Sequence, residues 1–331
     1  MKYLSGFLLA CCFSFSAQAA LVLSPENFSL VVNNNASLKN GVHVHGGAYV
    51  GGDLISGDNA SYGQDRASTG PVLYVDGSFT LGRNSKNNGA ELFNQDYYIG
   101  DATGFKAKGS SQAVAAAQNH TNFYDLFVSQ SQQWANLTDY GVTIDTTTKN
   151  NEPTFKLTSG ALNVINLNDI NGSFLQNNNA NLLFQGMTDD TYVVINYNLN
   201  SDLTINAKNN SFQSSQFENV IWNFVGGYDL TFNPNVSTWE GSIYATDAKV
   251  NWLANDIDGQ LVADSLSWNK TSQSHFYVPD WENFTATVAG PSTSTHPVPV
   301  PEPSMFVLLS LALIGMYFIQ SKKQLNRSKF K

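Results

Sequence analysis

His43 and His45 stand two residues apart in the stretch GVHVHGGAYVGGDLISGD, Gly41–Asp58. In a strand, alternate side chains share a face, so both imidazoles would project to one side, a spacing that can serve a metal. No third ligand accompanies them, and a pair at a surface or turn edge accounts for the same spacing. His120, His275 and His296 are isolated in the sequence. Asp53, Asp58 and Asp65 crowd one loop, and Asn255-Asp256-Ile257-Asp258-Gly259 has hard-ligand character. Neither reproduces the calcium-loop spacing with its closing Glu, so the expectation is no dedicated metal or cofactor, with loose calcium binding at turns as the alternative to solvated corners. Gly46-Gly47 and Gly51-Gly52 lack the following lysine of a phosphate loop and read as turns. There is no Gly-x-Ser-x-Gly elbow, and the only cysteines, Cys11 and Cys12, lie at the extreme N-terminus. The aromatic residues are more suggestive. Trp222, Trp239, Trp252 and Trp268 fall near strands, with Tyr49, Tyr244 and Tyr277 nearby. Indole faces stack on the apolar faces of sugars, which makes these four tryptophans candidate glycan contacts. The competing reading is that a thin core and a packed helix consume them.

The elements that would position these residues are mostly strands. From Phe28 to Arg83, short alternating stretches sit between glycine-rich turns, as in GPVLYVDGSFTLGRN, Gly70–Asn84. From Gln112 to Leu137 the period changes. Alanines are followed by Phe123, Leu126, Phe127, Gln130, Trp134 and Leu137 at helical spacing, which predicts one long helix with an aromatic stripe facing the strands. Strand-like text resumes near Thr154 and runs to about Val278. There WEGSIYATDAKVNW (Trp239–Trp252) and IDGQLVADSLSW (Ile257–Trp268) align Gly241 with Gly259 and Ala245 with Ala263. A period near 20 residues with short strands and Asn, Gly and Asp corners predicts a β-solenoid, a mainly β fold with one long packed α-helix. The alternative is a β-sandwich, whose strands read similarly at short range.

The two ends read as processing segments. Residues 1–19 combine Lys2, an apolar run from Leu4 to Phe15 and Ala17-Gln18-Ala19, the layout of a signal peptide cleaved before Ala20. Removing it takes both cysteines with it, so the exported body, 20–287, would hold together without disulfides. Residues 288–303 form a Pro/Ser/Thr linker. Residues 304–320 are apolar, about 25 Å of helix, and predict a short transmembrane segment. Residues 321–331 carry Lys322, Lys323, Arg327, Lys329 and Lys331, which places the tail on the cytoplasmic side. The formal net charge is −9. Without Lys2 and those five basic residues it falls to about −15, which excludes nucleic acid and anionic membrane surfaces as natural partners.

Pro301-Glu302-Pro303, the apolar helix and the basic tail together resemble a PEP-CTERM sorting signal. That resemblance implies recognition and cleavage by an exosortase-type transpeptidase, with only transient membrane insertion. VHGGAYVGGDL (Val44–Leu54), the helix, and ENVIWNFVGGYDLTF leading into GSIYA and GQLVA resemble a choice-of-anchor A domain. The C-terminal repeats are more loosely similar to the discontinuous β-solenoid of some ice-binding proteins. These resemblances imply a non-enzymatic surface or extracellular-matrix protein with a structural or adhesive role and an extracellular polysaccharide as partner. A polysaccharide-active β-helix enzyme is the alternative from another class. It needs clustered carboxylates beside Lys or Arg, and basic residues are few. Ice binding is the third reading and needs a flat, repeated Thr array. Thr146-Thr147-Thr148 is a single cluster in the sequence.

Overall fold

The computed structural model describes residues 23, 25–64, 72–81, 90–92, 97–101, 107–108, 123–145, 152–168, 172–212 and 216–275. The signal, the Pro301-Glu302-Pro303 motif, the 304–320 segment and the basic tail lie outside them, as do Asp65, His120, His296 and Thr146-Thr147-Thr148. Among the described residues no helix is long and apolar enough to cross a membrane.

Among the described residues the chain is mainly β with one α-helix, and its sheets are parallel. The strands stack in three rows. The first contains Leu162–Leu167, Tyr192–Asn198, Val220–Val225, the start of Ser242–Trp252, the start of Leu261–Trp268, Phe28–Val32, Gly47–Val50, the start of Leu73–Leu81, and Tyr97–Asp101. The second contains Leu203–Ile205, Leu230–Phe232, the ends of Ser242–Trp252 and Leu261–Trp268, Ala36–Leu38, Leu54–Ser56, and the end of Leu73–Leu81. The third runs through Thr154–Leu157, Asn181–Gln185, Asn209–Phe212, Trp239–Glu240, Ile257–Asp258, Gln273–His275, His43–Val44, Ser61–Tyr62, Ala90–Leu92 and Ala107–Lys108. Among the described strands only Val142–Asp145 pairs antiparallel, against Thr154–Leu157. The alternative, a β-sandwich, needs antiparallel sheets throughout, and these parallel ladders are not of that kind.

Spatial order departs from chain order at one place. The last circuit, carrying Leu261–Trp268 and Gln273–His275, stacks directly on the first, carrying Phe28–Val32, Ala36–Leu38 and His43–Val44. Because Leu73–Leu81 and Leu261–Trp268 each serve two rows, six strands around this seam close a barrel-like ring of pairings. Polar side chains fasten the seam. Gln260 donates to the Phe28 carbonyl at 2.6 Å and the Pro25 carbonyl at 3.1 Å, and Asp264 accepts from Asn33 at 3.0 Å and Asn34 at 2.8 Å.

Inward residues of all three rows share one apolar core. Alternate residues of the first row point outward and would be exposed but for helix α1, Phe123–Ala135. Its Phe123, Phe127 and Trp134 are buried against Phe28, Val31, Tyr49, Val194, Ile221, Tyr244 and Val262. The expected helix therefore covers its predicted C-terminal half, while 112–122 lie outside the described residues. Leu126, counted in the apolar stripe, instead points to solvent at 52% exposure. The C-terminal half of α1 sits on an asparagine ladder. Asn223 donates to the Ser131 carbonyl and to Asn196 Oδ1, Asn196 donates to the Trp134 carbonyl and Asn166 Oδ1, and Asn166 donates to the Leu137 carbonyl. The ladder satisfies buried amides that the sheet's pleat would otherwise strand.

Corners are tight. A Cβ on Gly57 would lie 2.3 Å from the Asn40 nitrogen, so the circuits close there only around glycine.

Candidate functional site: a neutral ladder on the second row

The helix covers the outward side of the first row, whereas among the described residues no helix packs on that of the second. Its strands alternate buried and outward residues, and the outward residue of each falls in register with the next. The result is a single line, Thr204–Thr231–Asn251–Ser267–Ser37–Ile55–Thr80. Parallel strands lie about 4.8 Å apart, so six steps carry the line over about 29 Å. Thr204, Ile55 and Thr80 are exposed and the other four are half-buried. Asn251 Nδ2 donates to Thr231 Oγ1 at 3.3 Å, and Asn269 Nδ2 donates to Ser267 Oγ at 2.9 Å. The line carries no charge.

Charged residues line one flank. Two residues earlier in each strand stand Asp202, Asp229, Lys249, Ser265, Asn35, Asp53 and Ser78. Several fasten one circuit to the next: Asp202 Oδ1 accepts from the Asp229 nitrogen at 3.0 Å, Asn35 Oδ1 from the Asp53 nitrogen at 2.8 Å, and Asp53 Oδ1 from the Ser78 nitrogen at 2.8 Å and hydroxyl at 2.9 Å. The backbone bond from Ser78, then its hydroxyl, hold the Asp53 carboxyl below its usual range. These contacts keep the ladder's spacing regular.

The row is regular and uncharged, and six of its seven residues bear a hydroxyl or an amide. It offers no nucleophile–base pair. The family model described as "Putative Ice-binding-like adhesive domain" matches residues 24–276. The chain belongs to this family. No curated protein matches the sequence. Among solved structures, it is similar to the DUF3494 domain of an ice-binding protein from Shewanella frigidimarina, with 12% identity, 77% of this chain and 95% of that chain covered, and a TM-score of 0.31.

Within this adhesive domain the four candidate tryptophans are part of the core. Trp222 is 1% exposed and Trp239, Trp252 and Trp268 are fully buried, so none presents a ring face to a sugar. Trp222 packs on Trp239 at 4.9 Å, and Trp252 lies between Phe232 at 4.6 Å and Trp268 at 5.5 Å. Their indole N–H groups turn inward as well: Trp252 donates to the Asn255 carbonyl at 2.9 Å and Trp268 to Ser272 Oγ at 2.8 Å. The physical reason is register, which places each of them at an inward position.

His43 and His45 do not converge on each other. His43 Nδ1 lies 2.6 Å from Ser61 Oγ, while His45 Nε2 lies 3.1 Å from Gln273 Oε1. The aspartates of the supposed hard-ligand stretch point at neighbouring strands. Asp256 Oδ1 accepts from the Gln273 nitrogen at 2.7 Å, and Asp258 pairs with His275. Asp58 is buried at the corner where its nitrogen donates to Asn40 Oδ1 at 3.1 Å. Among the described residues no group of three or more His, Cys, Asp or Glu side chains is arranged to hold a metal. The ladder residues escaped the sequence reading because the interval between paired residues changes along the line; a local trace it missed is Asp202-Leu203-Thr204 recurring as Asp229-Leu230-Thr231. Alternation marked them as outward, but only pairing brings them into line.

Proposed function

We propose that the protein is an exported surface adhesin whose second-row ladder is the adhering face. Membership of an adhesive family supports the adhesive role and the non-enzymatic reading. The body fits a discontinuous parallel β-solenoid of the choice-of-anchor A type, in which the first circuits are added onto the last. In this reading Ala17 and Ala19 direct signal cleavage before Ala20. Pro301-Glu302-Pro303 then directs exosortase sorting, and the 304–320 helix holds the chain in the membrane only until that step.

The observation that carries the proposal is the seven-position ladder, neutral and nearly all hydroxyl or amide. Ligands that match it are ordered solids with hydroxyls repeating at short, fixed intervals. An ordered extracellular polysaccharide is the first candidate and ice the second, the latter favoured by the family to which the chain belongs. Both are recognised by many weak contacts in register rather than by one deep pocket. The test is co-sedimentation of the untagged protein with insoluble polysaccharides, alongside partition into slowly growing ice. Retention on one of these solids, with no retention on amorphous silica, is the expected result. Equal loss to the supernatant with every solid would overturn the adhesive assignment of this face.

A further inference from the structure

Three circuits of the third row meet at the seam with an arrangement that the adhesive reading does not use. His45 belongs to the first circuit and His275 to the last, 230 residues later, yet their rings lie 5.0 Å apart and at right angles. Their Nε2 atoms converge on one point. Gln273 Oε1 is 3.1 Å from His45 Nε2 and 3.1 Å from His275 Nε2, with both rings aimed at it. On its other side His275 presents Nδ1 to the Asp258 carboxylate. When His275 is neutral, Nδ1–H donates to Asp258, Nε2 holds a lone pair, and the Gln273 amide turns its NH2 toward the two rings. Two imidazole lone pairs then aim at one position, occupied by the donor end of an amide.

We infer that His45, His275 and the Gln273 amide form a binding site for a divalent transition metal of the zinc class. Two imidazoles bound tetrahedrally to one zinc ion, with Zn–N of 2.0–2.1 Å, have ring centroids about 5 Å apart, the separation found here. With the ring separation kept, the rings would turn their Nε2 atoms onto an ion between them, and Gln273 would turn its oxygen inward as the third ligand, leaving the fourth position to water. Asp258 supplies the carboxylate that fixes the tautomer of a metal-bound histidine and raises its basicity. The His275 side chain is 31% exposed, which gives an ion access from solvent. Imidazole and amide ligands suit zinc, nickel or copper rather than calcium. Counted by imidazole, thiol and carboxylate alone, the site has only two ligands. The ion would join the first circuit to the last and clamp the seam across which the ladder is continuous.

The experiment is zinc titration of the untagged, chelator-treated protein by calorimetry, with thermal unfolding followed in parallel. One equivalent of zinc is expected to bind with micromolar affinity and to raise the melting temperature, reversibly with EDTA. His45→Ala and His275→Ala should each lower the affinity at least tenfold and remove the thermal shift, and Asp258→Asn should lower the affinity about tenfold. His43→Ala, two residues away on the same side and bonded to Ser61, should leave both readouts unchanged. If either histidine variant fails to fold, the wild-type protein still decides, through visible d–d bands on cobalt substitution of four-coordinate type. No bound zinc at 100-fold excess over about 1 μM protein would overturn the site, as would binding that survives His45→Ala.

Discussion

Replacing Asn223 by alanine tests how the helix is held. Asn223 is fully buried and makes three side-chain bonds: to the Ser131 carbonyl at 3.0 Å, to Asn196 Oδ1 at 2.8 Å, and from the Ser131 hydroxyl at 2.6 Å. The Ser131 carbonyl keeps its place in the helix, but the Ser131 hydroxyl and Asn196 Oδ1 each lose a bond in a dry interface. A buried polar group stripped of its partner costs about 1–3 kcal/mol, so Asn223→Ala should cost about 3 kcal/mol in all. Ser131→Ala removes one bond and should cost about 1 kcal/mol. The double variant should cost less than the sum by about 1 kcal/mol, since neither partner of that bond is then left behind. Urea unfolding followed by tryptophan fluorescence measures all three, with Asn251→Ala on the solvent side as a control within about 0.5 kcal/mol of wild type. If Asn223→Ala costs no more than Asn251→Ala, the asparagine ladder does not anchor the helix and the reasoning fails.

Two further outcomes follow from the packing. Gly57→Ala places a methyl 2.3 Å from main-chain atoms of Lys39 and Asn40 and should destabilise by about 3 kcal/mol, whereas Gly227→Ala meets nothing closer than 3.5 Å and should be neutral or slightly stabilising; melting temperatures separate them. Burial pushes the phenols of Tyr49, Tyr62, Tyr74, Tyr124 and Tyr244 well above their ordinary value of 10.0. A raised folded-state pKa leaves stability intact below pH 10 and erodes it above, as the unfolded chain ionises first. Phenolate absorbance from these residues should therefore appear together with loss of circular dichroism, not before it; early, non-cooperative ionisation would show that the interface is open to water.

Some of this fold is written locally. The alignment of Gly241 with Gly259 and Ala245 with Ala263 was visible because adjacent circuits of nearly equal length sit in register. In the structure Ala245 pairs with Ala263, and the Gly241 carbonyl occupies the space a Gly259 side chain would need. The aromatic spacing of the helix was legible for the same reason, since Phe123, Phe127 and Trp134 act through a local period. The ladder was not. Equivalent residues of neighbouring circuits stand 18 apart at Ser37 and Ile55 but 27 apart at Thr204 and Thr231, so no fixed period marks them. The seam was hidden more deeply, because the pairing of the last circuit with the first spans most of the chain and leaves no local trace. Tryptophan near a strand end looks the same whether it faces sugar or core. One step of register decides which, and here all four face inward.

The central claim is that the second-row ladder is the adhering face. It is tested most directly by placing charge at its middle. Thr231→Lys with Ser37→Lys should cut retention on the bound solid at least tenfold while leaving the melting temperature within a few degrees. Gln185→Lys, an exposed position on the third row, should bind as wild type. Undiminished retention by the ladder variant, or loss confined to Gln185→Lys, would contradict the account and move the adhesive surface to another face.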